Sequence, residues 1–267
     1  INRHHFKLGF NTQFQSHQID GFNHILPEYN RFNTGAFLIH KYDLNERMML
    51  SSGIRLDITT YNISESVNPD NELGDPIFNP SISQKYNGSA FSVGLNYLPN
   101  DNTLLKINIG KSFRIPSVYE LAANGLHRHE ARFEKGNSTN NPEQAWQLDL
   151  GLKYKWKKVL FQVSPFLTYF SNYLYLNPSS ELRPNGQVYE YKQTTVLLYG
   201  GEMSINYRWN KFHIGTGAEY VYSVNLDLKS ALPFTPPLTI KSKASYQFKS
   251  KKIFKNGKIG VELVSAA

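Results

Sequence analysis

The sequence predicts an all-β fold, an antiparallel transmembrane β-barrel of about eleven strands, on three observations. Apolar and polar residues alternate with a period of two along most of the chain. The links between alternating segments are short and long in turn. No run approaches the ~18 consecutive apolar residues of a spanning helix.

The first segment sets the pattern: Phe6, Leu8, Phe10, Thr12 and Phe14 form one face, with Lys7, Gly9, Asn11, Gln13 and Gln15 between them. A second strand fits near 32–42. Met48, Leu50, Ile54, Leu56 and Ile58 alternate with Ser51, Gly53, Arg55 and Asp57. Phe91, Val93, Leu95 and Tyr97 follow, then Leu105, Ile107 and Ile109 against Lys106, Asn108 and Gly110. Trp146, Leu148, Leu150, Leu152 and Tyr154 stand against Gln147, Asp149, Gly151 and Lys153. Further strands fit 159–171, 189–209, 212–224, 238–248 and 259–263, with no convincing amphipathic helix.

Short links fall at 43–46, 99–101, 155–158, 210 and 250–255, long ones at 18–30, 62–83, 114–142, 177–187 and 225–236. A bacterial membrane barrel separates its periplasmic turns from its extracellular loops in this way, so the long-loop end faces outward. Trp156, Trp209, Tyr154, Tyr207, Tyr97 and Tyr42 fall beside short turns, and Trp146, Tyr61 and Tyr169 beside long loops. Two such groups fit two lipid boundaries, although aromatics are also common in strands generally.

Mean hydropathy is −0.45, as expected where lipid sees only every second residue. The 267 residues carry a formal charge of +8. Lys155, Lys157, Lys158, Lys249, Lys251, Lys252 and Lys255, all near short turns, account for much of it without nucleic acid. Absence of cysteine excludes a disulfide scaffold and a thiolate metal site and agrees with passage through an oxidising periplasm. No G-x-S-x-G elbow, H-E-x-x-H pair or glycine-rich phosphate loop occurs, so the expectation is a non-enzyme without a cofactor. Ile1 is not a start methionine and no signal peptide precedes the first strand, which reads as a fragment.

Residues 110–143 read GKSFRIPSVYELAANGLHRHEARFEKGNSTNNPE. This resembles the stretch of TonB-dependent receptors that runs F-R-x-P-S, E-L, A-N-G-x-H, F-E-x-G-N and P-E. Phe113, Arg114, Pro116, Ser117, Glu120 and Leu121 match its first part. Asn124, Gly125, His127, Phe133, Glu134, Gly136, Asn137, Pro142 and Glu143 match the rest. Residues 172–178 (NYLYLNP), 199–202 (YGGE) and the pair Pro236, Pro237 are similar to further landmarks in that family's order.

The resemblance implies an outer-membrane receptor that binds a scarce nutrient (metal, metal chelate or siderophore, haem or vitamin) and imports it with TonB-supplied energy. It implies partners in the outer-membrane lipid and, through a plug domain inside the barrel, the TonB energy-coupling complex. Residues 1–267 are then an incomplete part of a larger plugged barrel, with the plug and terminal strands absent. A passive porin or structural barrel is the alternative, and a soluble β-sandwich a third reading.

Arg114 continues the inward face of Lys106, Asn108, Gly110 and Ser112, and Glu202 falls inward by the same count. With Glu120 they are expected to face the lumen or plug, solvation or pairing along the barrel wall being the other possibility. His127, Arg128, His129 and Glu130 lie in the longest link, with His17 and His24 at the first long link at the same end. Imidazole and carboxylate suit zinc, copper or haem iron, and His127 and His129 on extended backbone would share one side. Ordinary polar residues on the surface of a loop are the favoured reading of them, since His4, His5, His40 and His213 lie toward the other end. A siderophore would call instead on aromatics with Arg128 or Arg132.

Overall fold

The computed structural model describes residues 3–21, 24–68, 77–183, 186–232, 235–248 and 256–267. In chain order the elements are β1 (His4–His17), β2 (Tyr29–Asn45), β3 (Met48–Ile63), β4 (Ser66–Asn68), β5 (Ile77–Asn79), β6 (Ile82–Asn100) and β7 (Thr103–Arg114). Then come α1 (Val118–Ala122), β8 (Asn124–His127), a 3-10 turn (Arg128–Glu130), β9 (Arg132–Lys135), β10 (Glu143–Trp156) and β11 (Val159–Arg183). The last are β12 (Gly186–Trp209), β13 (Phe212–Asn225), β14 (Ser230–Ala231), β15 (Thr239–Phe248) and β16 (Gly257–Ala266).

Eleven strands make one antiparallel meander in the order β1-β2-β3-β6-β7-β10-β11-β12-β13-β15-β16, and β1 and β16 are its ends. Each strand hydrogen-bonds its sequence neighbours because the links at one end are tight. The chain reverses through Lys157 and Asn210 in left-handed conformations, φ 51° and 50°, which asparagine tolerates and lysine adopts less readily. The 250–255 link lies outside the described residues.

The register carries the side-chain parity across the sheet. Ile54, Ile107 and Leu150 share one face and remain 52%, 42% and 43% exposed. No second layer covers this face among the described residues, which is the arrangement that lipid requires. The opposite face carries polar chemistry: Asn33 donates to Thr59 Oγ1 at 2.6 Å, and Arg55 reaches Asp57 Oδ1 at 2.6 Å and Asn11 Oδ1 at 2.7 Å.

Several links differ from expectation. The 177–187 link is largely strand: β11 and β12 stay paired as far as Arg183 and Gly186, with a register shift between Pro178 and Leu182. Pro178 lies beyond the β10–β11 pairing, where β11 has only β12 as a partner, and proline is tolerated on such an edge. Link 62–83 contains the β4–β5 pair, and 114–142 contains a short helix where none was expected. Tyr61 is no belt aromatic. It has the inward parity of Asp57 and Thr59 and is 2% exposed.

Candidate functional site at the outward mouth

The longest link folds inward. Val118, Leu121 and Ala122 of α1 pack against Tyr61, Ile63 and Tyr86 on the inner face of β3 and β6, making a buried apolar cluster among the described residues. α1 can be so short because its start is fully capped: Ser117 Oγ accepts from the Glu120 N–H, and Glu120 Oε2 accepts from the Ser117 N–H at 2.7 Å. Tyr61 and Tyr86 hydroxyls donate to the carbonyls of Pro116 and Asn140 at 2.9 and 3.0 Å, so the wall grips both ends of the segment.

Arg114 sits at the root of this cap. Its Nη1 and Nη2 donate to the two Glu120 oxygens at 2.8 and 2.9 Å, and its Nε donates to Glu143 Oε2. Glu143 is buried and also accepts from the Leu174 N–H at 2.6 Å. One guanidinium therefore joins β7, α1 and β10, a fork that lysine could not reproduce. Asn137 N–H donates to the Glu120 carbonyl at 2.9 Å, and Gly136 lies so close to α1 that a Cβ there would stand 2.6 Å from Ala122 N.

Beyond the cap, β9 pairs in parallel with the projecting part of β12, Phe133 opposite Val188 and Glu134 opposite Tyr189. β8 and β9 form a hairpin with His127 opposite Arg132. Glu134, 2% exposed, accepts from Arg132 Nε at 2.7 Å and from the Tyr191 hydroxyl at 3.1 Å. Arg132 also pairs with Glu130. Burial, then the Glu134 charge, raise the Tyr191 pKa and hold its proton. Ligand atoms of His127, Glu130 and Glu134 all lie within 4.8 Å of one another.

The structure thus gathers His127 and Glu130 with Glu134. His129 is exposed on the 3-10 turn, whose backbone is not the extended one on which the i, i+2 argument relied. Arg128 is in the same turn, and its side chain lies outside the described part. His17 ends β1, stacked on Tyr29 at 5.3 Å. His24 is half-buried, its pKa lowered by desolvation, in a segment lying along β8, where the Asn124 N–H donates to the Ile25 carbonyl at 3.0 Å. Glu202 is exposed on the inner face in mid-sheet, between Ser164 and Glu219 in the register.

Sequence reasoning missed Glu134 and Tyr191. Arg132 and Glu134 at i, i+2 on a strand share one side and could have been paired. Tyr191 arrives only through the parallel β9–β12 contact, which no local pattern announces. A recess of about 790 Å3 lies at the short-turn end, lined by Lys153, Lys155, Lys158, Arg208 and His213 among others.

A lipid-ready outer face, a polar inner face and an inward-folded cap define an outer-membrane β-barrel wall. The family model described as "TonB dependent receptor-like, beta-barrel" matches residues 3–263, and the chain belongs to that family. It is therefore an outer-membrane protein of the Gram-negative type. The copper transporter OprC superposes with a TM-score of 0.78 at 17% identity over 99% of this chain and 46% of its own. The Serratia marcescens hemophore receptor HasR, in complex with its hemophore HasA and heme, gives 0.69 at 15% over 92% and 47%. The FrpB iron transporter from Neisseria meningitidis gives 0.64 at 15% over 94% and 39%. The chain spans less than half the length of each.

Proposed function

We propose that this chain forms part of the wall and the outward mouth of an active-transport receptor that imports a scarce nutrient with energy from the TonB complex. The energy acts through a plug domain carried elsewhere in the protein. The family match across nearly the whole chain carries this reading. The similarity to a copper transporter, an iron transporter and a hemophore receptor in complex with heme supports a metal, metal chelate or haem as cargo. The bonded cap over the inner face supports a selective mouth rather than an open rim, and the basic recess at the short-turn end supports contact with a polar plug surface. Arg114, Glu120 and Glu202 are the lumen-facing groups in this reading.

The test compares accumulation of labelled copper(II), a ferric chelate, haem and cobalamin in cells with the intact gene, without it, and with the gene but no TonB. The reading expects at least one probe to concentrate only when both gene and TonB are present. Equilibration of small solutes without energy would make the protein a passive porin instead.

A further inference from the structure

We propose that His127, Glu130 and Glu134 form a capture site for one divalent transition-metal ion at the outward mouth, and that Arg132 holds the two carboxylates until the ion displaces it. The proposal rests on the import reading in making the ion cargo.

An ion bound at ~2.0–2.2 Å by nitrogen and carboxylate oxygen needs its ligands within roughly 4 Å of one another. Ligand atoms within 4.8 Å of one another would come within this limit by a small side-chain contraction. The donor set of one imidazole and two carboxylates suits zinc(II) or copper(II), whereas calcium and magnesium prefer oxygen alone.

The charges show what fills the site beforehand. Two carboxylates share one guanidinium, Arg132 reaching Glu134 through Nε and Glu130 through Nη1. The unit carries one excess negative charge, and a dication in place of the guanidinium would neutralise it. Arg132 has an alternative seat, since its guanidinium already lies over the Tyr189 ring, 5.5 Å from the centroid.

The imidazole supplies an independent pointer. Nδ1 of His127 is shielded from solvent and has no hydrogen-bond partner among the described residues. A buried polar atom left in this way costs stability unless something uses it. Glu134 is meanwhile oriented by the Tyr191 hydroxyl, as an outer partner orients a metal-bound carboxylate. The β8–β9 hairpin closes through a 3-10 turn, which brings Glu130 back toward His127, a return that extended backbone would not make.

A purely structural ion-pair cluster centred on Arg132 is the competing account, and the two differ in sign. Chelator-treated intact receptor in detergent is titrated calorimetrically with zinc(II) and, separately, copper(II), beside His127→Ala, Glu130→Gln and Arg132→Gln, with limited proteolysis confirming each loop. The proposal expects one ion per receptor, affinity reduced roughly tenfold or more in the first two variants, and affinity raised in Arg132→Gln. Unchanged affinity in His127→Ala and Glu130→Gln, or weaker binding in an Arg132→Gln variant with an intact loop, overturns it. TonB-dependent uptake of a ferric chelate or haem alongside a blank titration removes this site and leaves the import reading standing. Ion binding without any energised uptake does the reverse.

Discussion

Arg114 and Glu120 meet through two parallel hydrogen bonds, Nη1 to Oε2 at 2.8 Å and Nη2 to Oε1 at 2.9 Å, where the wall strand β7 gives way to the cap. The same Glu120 caps α1, so wall and helix share one carboxylate. Arg114→Ala leaves Glu120 and the buried Glu143 without their cation. Breaking a fully buried pair costs about 3–5 kcal/mol, and the half-exposed guanidinium reduces that to about 2 kcal/mol here. Hydrogen exchange in the intact receptor should rise across 115–142 and stay unchanged in β15, with Arg114→Lys intermediate.

Gly136→Val forces a side chain into the backbone of α1, where no flexible group can yield. The expected outcome is a loosened cap on an intact wall: faster protease cleavage between 115 and 142, with unchanged heat-modifiable mobility of the barrel.

Leu150→Arg places a charge on the lipid face, at a cost of roughly 2–4 kcal/mol near mid-membrane, whereas Asp149→Arg places one on the inner face. Asp149 there receives Gln147 Nε2 at 2.7 Å. Assembly, read as heat-modifiable mobility, should suffer more in the first variant, and equal defects would contradict the assigned parity.

Asp227, in the loop after β13, accepts from the Thr195 N–H and lies against the Thr194 hydroxyl, both at 2.8 Å, and these hydrogen bonds lower its pKa. A carboxylate depressed in the folded state stabilises above its unfolded pKa and loses that contribution as pH falls through the lowered folded value. Exchange protection of the Thr195 amide should therefore hold from neutral pH down through the ordinary carboxylate range and fail only below it. Asp227→Asn should remove this pH dependence.

The wall was legible because lipid and lumen impose a two-residue period that each strand repeats for itself, and the eleven expected strands match the eleven on the sheet's main path. The outward end was less legible because tertiary contacts decide it. Pro178 signals a loop by itself yet pairs with Tyr189, since the neighbouring strand has ended. α1 is too short for helical periodicity and depends on Ser117, Glu120 and the inner wall. At the candidate metal site, His127, Glu130 and Glu134 lie close together in the chain, on one hairpin and its turn, whereas Tyr191 joins them only through a parallel strand contact far apart in sequence.

The most direct test of the membrane-wall account starts from the absence of cysteine in these 267 residues, with any cysteine elsewhere in the receptor replaced by serine. Single cysteines introduced in the intact receptor at each position from 146 to 154 are spin-labelled in lipid, and their accessibility to oxygen and to a water-soluble nickel chelate is measured. Labels at 146, 148, 150, 152 and 154 should favour oxygen, and those at 147, 149, 151 and 153 should be less oxygen-accessible and face protein or water. A pattern without this two-residue alternation, or with chelate access on both faces, would contradict the claim that this sheet separates lipid from lumen.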